Sequence, residues 1–156
     1  MRKKKYYFDT SIFNFMFADD AQDKKEITER LFEILPDQAE GIFISEEVTR
    51  EIGRASQPRK SQMEDLVRKT SPQILETNLE VETLADRYIR EGIIPEKYRG
   101  DAIHIATAVI NEIDVIVSWN FQHIVKLKTR TEVNGVSKLL DYSEIEICSP
   151  QEVIEP

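Results

Sequence analysis

The stretch KKYYFDTSIF, residues 4–13, sets three aromatic residues directly ahead of Asp9, with Thr10 and Ser11 immediately behind it. A short apolar run that ends abruptly in polar residues reads as a buried strand. The question is why such a strand delivers a carboxylate to its end. One answer is a helix cap, because Asp, Thr and Ser all start helices well. The other is a metal ligand held at the carboxyl edge of a sheet. Asp9 alone leaves both open.

Outward from this strand, the chain alternates. KYYF leads into TSIFNFMF, a short helix or turn. DKKEITERLFEIL places Ile27, Leu31, Ile34 and Leu35 at helical spacing, with Pro36 expected to stop the helix. IFIS (42–45) is a second buried strand, and Ser45 is placed to cap the helix EEVTREIGRA (46–55). A helix near 59–69, a strand near 73–76 and a helix near 79–91 follow. GIIPEKYRG (92–100) is a loop punctuated by Gly and Pro, and DAIHIATAVINE (101–112) is a strongly apolar helix. VIVS (115–118) is a central strand, 131–141 a last helix and IEIC (145–148) a last strand. This order predicts a mainly parallel sheet of about five strands, covered by helices on both faces in a three-layer α/β/α sandwich. In such sheets functional residues collect outside the carboxyl ends of the strands. Asp9, the helix after Ser45, and Asn120 beyond VIVS all fall there.

The 156 residues are enough for one domain, expected over 1–150 with a short tail at 151–156. A composition of 40% hydrophobic and 32% charged residues describes a soluble globular chain. The basic start resembles a signal peptide, but Asp9 and Asn14 interrupt the apolar run, so that reading is rejected. No segment approaches the roughly 20 apolar residues that span a bilayer. The single cysteine, Cys148, excludes an internal disulfide and a cysteine-rich zinc site, and a cytoplasmic protein is the expectation. A net charge of −8 argues against indiscriminate nucleic-acid binding. It leaves room for a nuclease, because a bound divalent cation inverts the local field. The basic clusters Arg2 to Lys5, Arg54 to Lys60 and Lys126 to Arg130 read as solvated surface.

Two helices carry acids where packing alone does not ask for them. In EEVTREIGRA, Val48, Ile52 and Ala55 form the apolar face, and Glu51 sits on its shoulder. Glu46 and Glu47, in the first turn, are explained by the helix dipole. In DAIHIATAVINE, Asp101, His104, Thr107 and Asn111 nearly share one stripe through an otherwise apolar helix. Alone, Asp101 after Gly100 reads as an N-cap and His104 as a hydrogen-bonded interior histidine. Together, Asp9, Glu51 and Asp101 from three segments converge on one strand edge. Two unit charges about 4 Å apart repel by about 4 kcal/mol at an effective dielectric near 20. A fold keeps such a cluster ionised only with positive compensation, and an all-oxygen ligand set suits Mg²⁺ or Mn²⁺.

The motifs in order resemble the PIN-domain family, especially its VapC-type toxin ribonucleases. FDTSIF resembles the opening Asp-Thr/Ser motif. ISEEVTREI resembles the second, with its acid six residues after the serine at Glu51. GDAIHIATA resembles the third, giving Asp101, and IVSWNFQHI resembles the fourth, a strand followed by Thr/Ser-x-Asp/Asn. The resemblance spans nearly the whole chain. It implies a PIN-like fold and Mg²⁺- or Mn²⁺-dependent endonucleolytic cleavage of RNA. It also implies a homodimer and an inhibitory antitoxin partner. Asn120 departs from the acidic version of the fourth motif, and His123 stands where some members carry a further acid. The expected ligands are therefore Asp9, Glu51 and Asp101, with Asn120 secondary, and one metal is favoured over two. Candidate substrate contacts are Thr10, Ser11, His104, Ser118, Trp119, Lys126 and Lys128. Trp119 has two readings, stacking on a base or burial against the last helix.

Three competing classes are weighed against the nuclease. A PIN-like module that has lost catalysis and only binds RNA or a protein is favoured by Asn120 and the net negative charge. The three retained acids oppose it. A phosphoryl-accepting receiver domain wants a lysine after its final strand, where Cys148-Ser149-Pro150 supplies none. Ser/His/Asp catalysis finds two histidines but no G-x-S-x-G elbow.

Overall fold

A computed structural model describes residues 2–155. Five strands, β1 (Lys5–Phe8), β2 (Gly41–Ser45), β3 (Gln73–Leu75), β4 (Val115–Val117) and β5 (Glu146–Cys148), form one sheet in the order β3-β2-β1-β4-β5. Every pairing is parallel. Helices on both faces complete a three-layer α/β/α sandwich, the fold class read from the alternating sequence pattern.

The aromatic run forms the middle strand of the sheet, between β2 and β4. Tyr7 and Phe8 are fully buried, and Phe8 meets Phe13 and Phe32 edge-on with ring centroids 6.3 and 5.5 Å apart. Pairing Tyr7 with Phe43 on one side and Phe8 with Val117 on the other aligns the carboxyl ends of β1, β2 and β4. Three helices leave or approach this edge: α1 (Thr10–Phe15) after β1, α3 (Glu46–Gly53) after β2, and α6 (Arg99–Ile110). The remaining helices are α2 (Gln22–Gln38), α4 (Arg59–Thr70), α5 (Leu79–Arg90), α7 (Leu127–Leu139) and α8 (Pro150–Ile154). A 3-10 turn, Glu96–Tyr98, lies inside the expected loop ahead of α6.

Three boundaries differ from the sequence reading. Pro36 does not stop α2, which continues to Gln38. A proline this close to a helix end removes a single bond, to the carbonyl four residues earlier, and the following turn still closes when the Ala39 amide donates to Leu35. Helix α7 begins at Leu127, not near 131, so Lys126 is its N-cap and Lys128 lies in its first turn. The residues read as a tail include α8, fixed by a capping box in which Ser149 and Glu152 satisfy each other's backbone amides. This helix packs on α2; Pro156 lies outside the described residues.

Candidate functional site

Asp9 occupies the N-cap position of α1, yet its side chain caps nothing. Ser11 Oγ donates to one carboxylate oxygen at 2.5 Å and Ser118 Oγ to the other at 2.6 Å. Each serine also accepts a backbone amide from the loop after β4, Ser11 from Trp119 and Ser118 from Asn120, both at 2.9 Å. The hydroxyls after β1 and β4 therefore lace two strand ends around one carboxylate that is only 4% exposed. Burial raises its pKa above the ordinary aspartate value; His104 and the two serine hydrogen bonds pull it back, and Asp101 pushes it up again. The helix-cap reading of Asp9 is thereby set aside.

Glu51 comes from α3, whose first turn is set by Ser45 accepting the Glu47 amide at 3.2 Å. Thr10 Oγ1 and His104 Nε2 converge on Glu51 Oε1 at 2.5 and 2.7 Å. Behind the imidazole, Nδ1 lies 2.7 Å from the Tyr7 hydroxyl, which lies 2.7 Å from Ser45 Oγ. Neutral His104 accepts a hydrogen bond from the Tyr7 hydroxyl at Nδ1; charged His104 donates there, and Tyr7 then donates to Ser45. In both states Nε2–H faces Glu51. Burial works to raise the Glu51 pKa, but the hydrogen bond and charge of His104, with help from Thr10 and Arg50, leave it lowered. The partner moves consistently. Burial opposes the charge on His104, while Glu51, Asp9 and Asp101 raise its pKa. His104 is thus an interior histidine and a site residue at once.

Asp101 lies within the first turn of α6, after an N-cap at Tyr98, so it is not the cap expected from Gly100-Asp101. Its Oδ2 is 3.0 Å from His123 Nδ1. Burial raises the Asp101 pKa, His104 and His123 oppose that, Glu51 adds to it, and a hydrogen bond with Asn120 opposes it. Asn120 also uses Oδ1 to accept the His123 amide at 2.9 Å, shaping the loop that carries both residues. His123 in turn packs against the Tyr98 ring, with centroids 4.2 Å apart.

One further acid belongs to this edge. Glu47, read above as a dipole partner, is 3% exposed and ion-paired to Arg50. A Cβ on Gly100 would come within 2.9 Å of Glu51 Oε2 and 3.0 Å of Glu47 Oε2, so α6 approaches α3 closely because residue 100 has no side chain. Glu46 points elsewhere and accepts the Thr77 amide at 3.0 Å.

The structure thus brings Asp9, Thr10, Ser11, Glu51, Asp101, His104, Ser118 and Asn120 to one edge. Trp119 lies between Ser118 and Asn120 but is buried, its Nε1 donating to Thr28 Oγ1 at 2.8 Å, so its faces are covered by protein. Lys128 donates to the Gly92 carbonyl at 3.0 Å. Two clusters read as solvated surface include structural ties: Arg2 pairs with Asp114, Lys4 with Glu146, and Arg59 binds Asn14 and Phe17. Among the described residues, no three His, Cys, Asp or Glu side chains are grouped so as to hold a metal ion as placed. Both oxygens of Asp9, Oε1 of Glu51 and Oδ2 of Asp101 are turned onto hydroxyl or imidazole partners.

The five-stranded parallel sandwich has a PIN-like fold, similar to that of solved VapC structures. No protein-family model matches the chain, and no curated relative is matched. Solved structures are. The sarcin-ricin loop cleaving toxin VapC20 of Mycobacterium tuberculosis is 12% identical over 76% of this chain and 92% of its own, with a TM-score of 0.56. VapBC2 of Rickettsia felis, bound to a promoter DNA fragment, is 14% identical over 93% and 98%, with a TM-score of 0.56. VapBC-1 of nontypeable Haemophilus influenzae is 16% identical over 94% and 98%, with a TM-score of 0.55.

Proposed function

We propose that the protein is an endoribonuclease that cleaves RNA phosphodiester bonds with Mg²⁺ or Mn²⁺, as the toxin member of a toxin–antitoxin pair. One observation carries the reading. Asp9, Glu51 and Asp101 converge on one strand edge, and the groups that offset the charge of Asp9 and Asp101 are histidines and neutral hydrogen-bond donors, not Lys or Arg. Burial raises the pKa of both aspartates, and a bound cation would bring the charge that favours their ionised forms.

The donor set fits a hard divalent ion. Asp9, Glu51 and Asp101 would hold it, with the Asn120 carboxamide as a neutral donor, which favours one cation over two. When bound, the cation supplies charge that polarises a phosphodiester oxygen and acidifies water. The chain's own residues do the remainder. Ser11 and Ser118 fix both oxygens of Asp9, and Thr10 with His104 Nε2 fixes Glu51. His123 orients Asp101 from the opposite side. The Tyr7 hydroxyl holds the His104 ring so that Nε2 always faces the acid.

The structural neighbours solved as VapBC assemblies support an antitoxin partner, and the homodimer and a cytoplasmic location belong to the same reading. The test uses purified protein free of any partner, with structured and single-stranded RNAs, in Mn²⁺, Mg²⁺ or chelator. Cleavage that needs metal and is lost in Glu51→Gln supports the nuclease. The non-catalytic binding module is favoured by the hydrogen-bonded state of every acid and the ungrouped ligands. Metal binding with no cleavage of any RNA would select it.

A further inference from the structure

Among the described residues, two aromatic side chains are exposed, Phe121 at 48% and Tyr98 at 38%, and both border the loop after β4 at the edge that carries the acids. Phe121 follows Asn120 directly, on the loop whose Ser118 hydroxyl holds Asp9. Tyr98 precedes α6 and packs on His123, which binds Asp101. Each ring carries a lysine. Lys24 Nζ lies 5.6 Å from the Phe121 centroid, and Lys97 Nζ lies 5.8 Å from that of Tyr98. Both rings rest on ordered support. Phe121 meets buried Trp119 edge-on at 6.1 Å, Trp119 is anchored to Thr28, and Lys24 also spans the Trp119 and Phe15 rings at 5.6 and 5.1 Å.

Exposed rings with ammonium groups beside them match the chemistry of single-stranded nucleic acid, in which flat bases alternate with phosphates. A protein partner would profit equally from aliphatic surface, but of the exposed aliphatic residues Ile74 lies in β3, Leu79 in α5, and Leu139 and Leu140 at the end of α7, so that only Leu127, at the start of α7, follows the Phe121 loop. We propose that Phe121 and Tyr98 are stacking platforms for two nucleobases of single-stranded RNA beside the acids, with Lys24 and Lys97 serving the adjoining phosphates. The proposal rests on the RNA-cleaving reading and adds to it how the strand is held. It also transfers the stacking role from Trp119, which is buried, to its neighbour two residues on.

The test measures fluorescence anisotropy of a labelled single-stranded octaribonucleotide in Mn²⁺, using full-length Glu51→Gln protein as the non-cleaving parent. Phe121→Ala and Tyr98→Ala are each expected to weaken binding about tenfold, and Phe121→Tyr and Tyr98→Phe to restore it. An octamer abasic at every position is expected to bind parent and alanine variants alike, which a general loss of fold would not produce. Lys24→Gln and Lys97→Gln are each expected to lower the slope of log affinity against log salt by about 0.7. RNA binding that ignores both alanine substitutions would overturn the platforms and leave the nuclease standing. Failure of the parent to bind any RNA would overturn the RNA reading itself. An equal loss for the abasic octamer would overturn stacking and assign the rings to packing.

Discussion

The two edges of the central sheet each hold an aspartate, and the two are treated in opposite ways. At the amino edge, Asp114 accepts the Lys5 amide at 2.8 Å and pairs with Arg2 at 2.7 Å. The Arg2 hydrogen bond is the leading cause of its lowered pKa. At the carboxyl edge, Asp9 is more deeply buried, receives two serine hydroxyls, and has a raised pKa. One carboxylate is neutralised by the chain; the other is hydrogen-bonded into position and left short of charge. An edge that only had to fold would resemble the first. The second is the arrangement that the proposed divalent cation would complete.

The largest expected break in this symmetry is catalytic. Asp9→Asn and Glu51→Gln should each lower RNA cleavage by at least about a hundredfold, whereas Asp114→Asn should leave it within about twofold. Comparable losses at both edges would erase the distinction between them. Next comes metal-linked stability. Mn²⁺ at about a hundred times its Kd should stabilise the wild type by about 2.7 kcal/mol, seen as a higher Tm. Asp101→Asn should remove most of that gain and Asp114→Asn none, and a full Mn²⁺ shift in Asp101→Asn would discard the site.

A subtler contrast lies in pH. A carboxylate with a raised folded pKa contributes stability that is complete below its ordinary value near 3.8 and disappears as pH climbs through the folded value. One with a lowered folded pKa contributes stability above the ordinary value that disappears as pH falls through the folded one. Without metal, Asp9→Asn should therefore cost least, or even stabilise, above that range, whereas Asp114→Asn should cost most there, about 1 kcal/mol. Urea titrations from pH 3 to 7 test this, and parallel curves for the two variants would refute it. The smallest effect belongs to Asn120. Asn120→Asp should tighten Mn²⁺ binding several-fold and Asn120→Ala loosen it modestly, about 1 kcal/mol or less either way by calorimetry. Equal affinities would place Asn120 outside the ligand set and leave it as the loop cap for His123.

Most of this edge was readable because strands and helices advertise themselves by period, and because Asp9, Glu51 and Asp101 sit where packing does not want them. Glu47 was not readable. In sequence, an acid in the first turn of a helix looks the same whether it faces solvent or Gly100, and the close approach of α6 that buries it is a tertiary fact. Trp119 and Phe121 present the same difficulty. Two residues apart beyond a strand end, they exchange the roles of anchor and surface according to where Thr28 lies. Pro36 misled for the converse reason, since near a helix end its lost bond is too small to override the packing of Leu31 and Leu35.

The edge strand β5 ends in the chain's one thiol. Burial, then Glu152 and Glu146, push the Cys148 pKa up to about 11, so the nucleophilic thiolate is scarce at neutral pH. Mild oxidants and alkylating reagents should find it sluggish. The same residue is the chain's single thiol attachment point for a dye or spin label, two strands removed from Asp9, and its labelling should need pH well above neutral and long reaction times. Distances from that fixed mark to a labelled RNA end would report the direction in which the strand crosses the sheet.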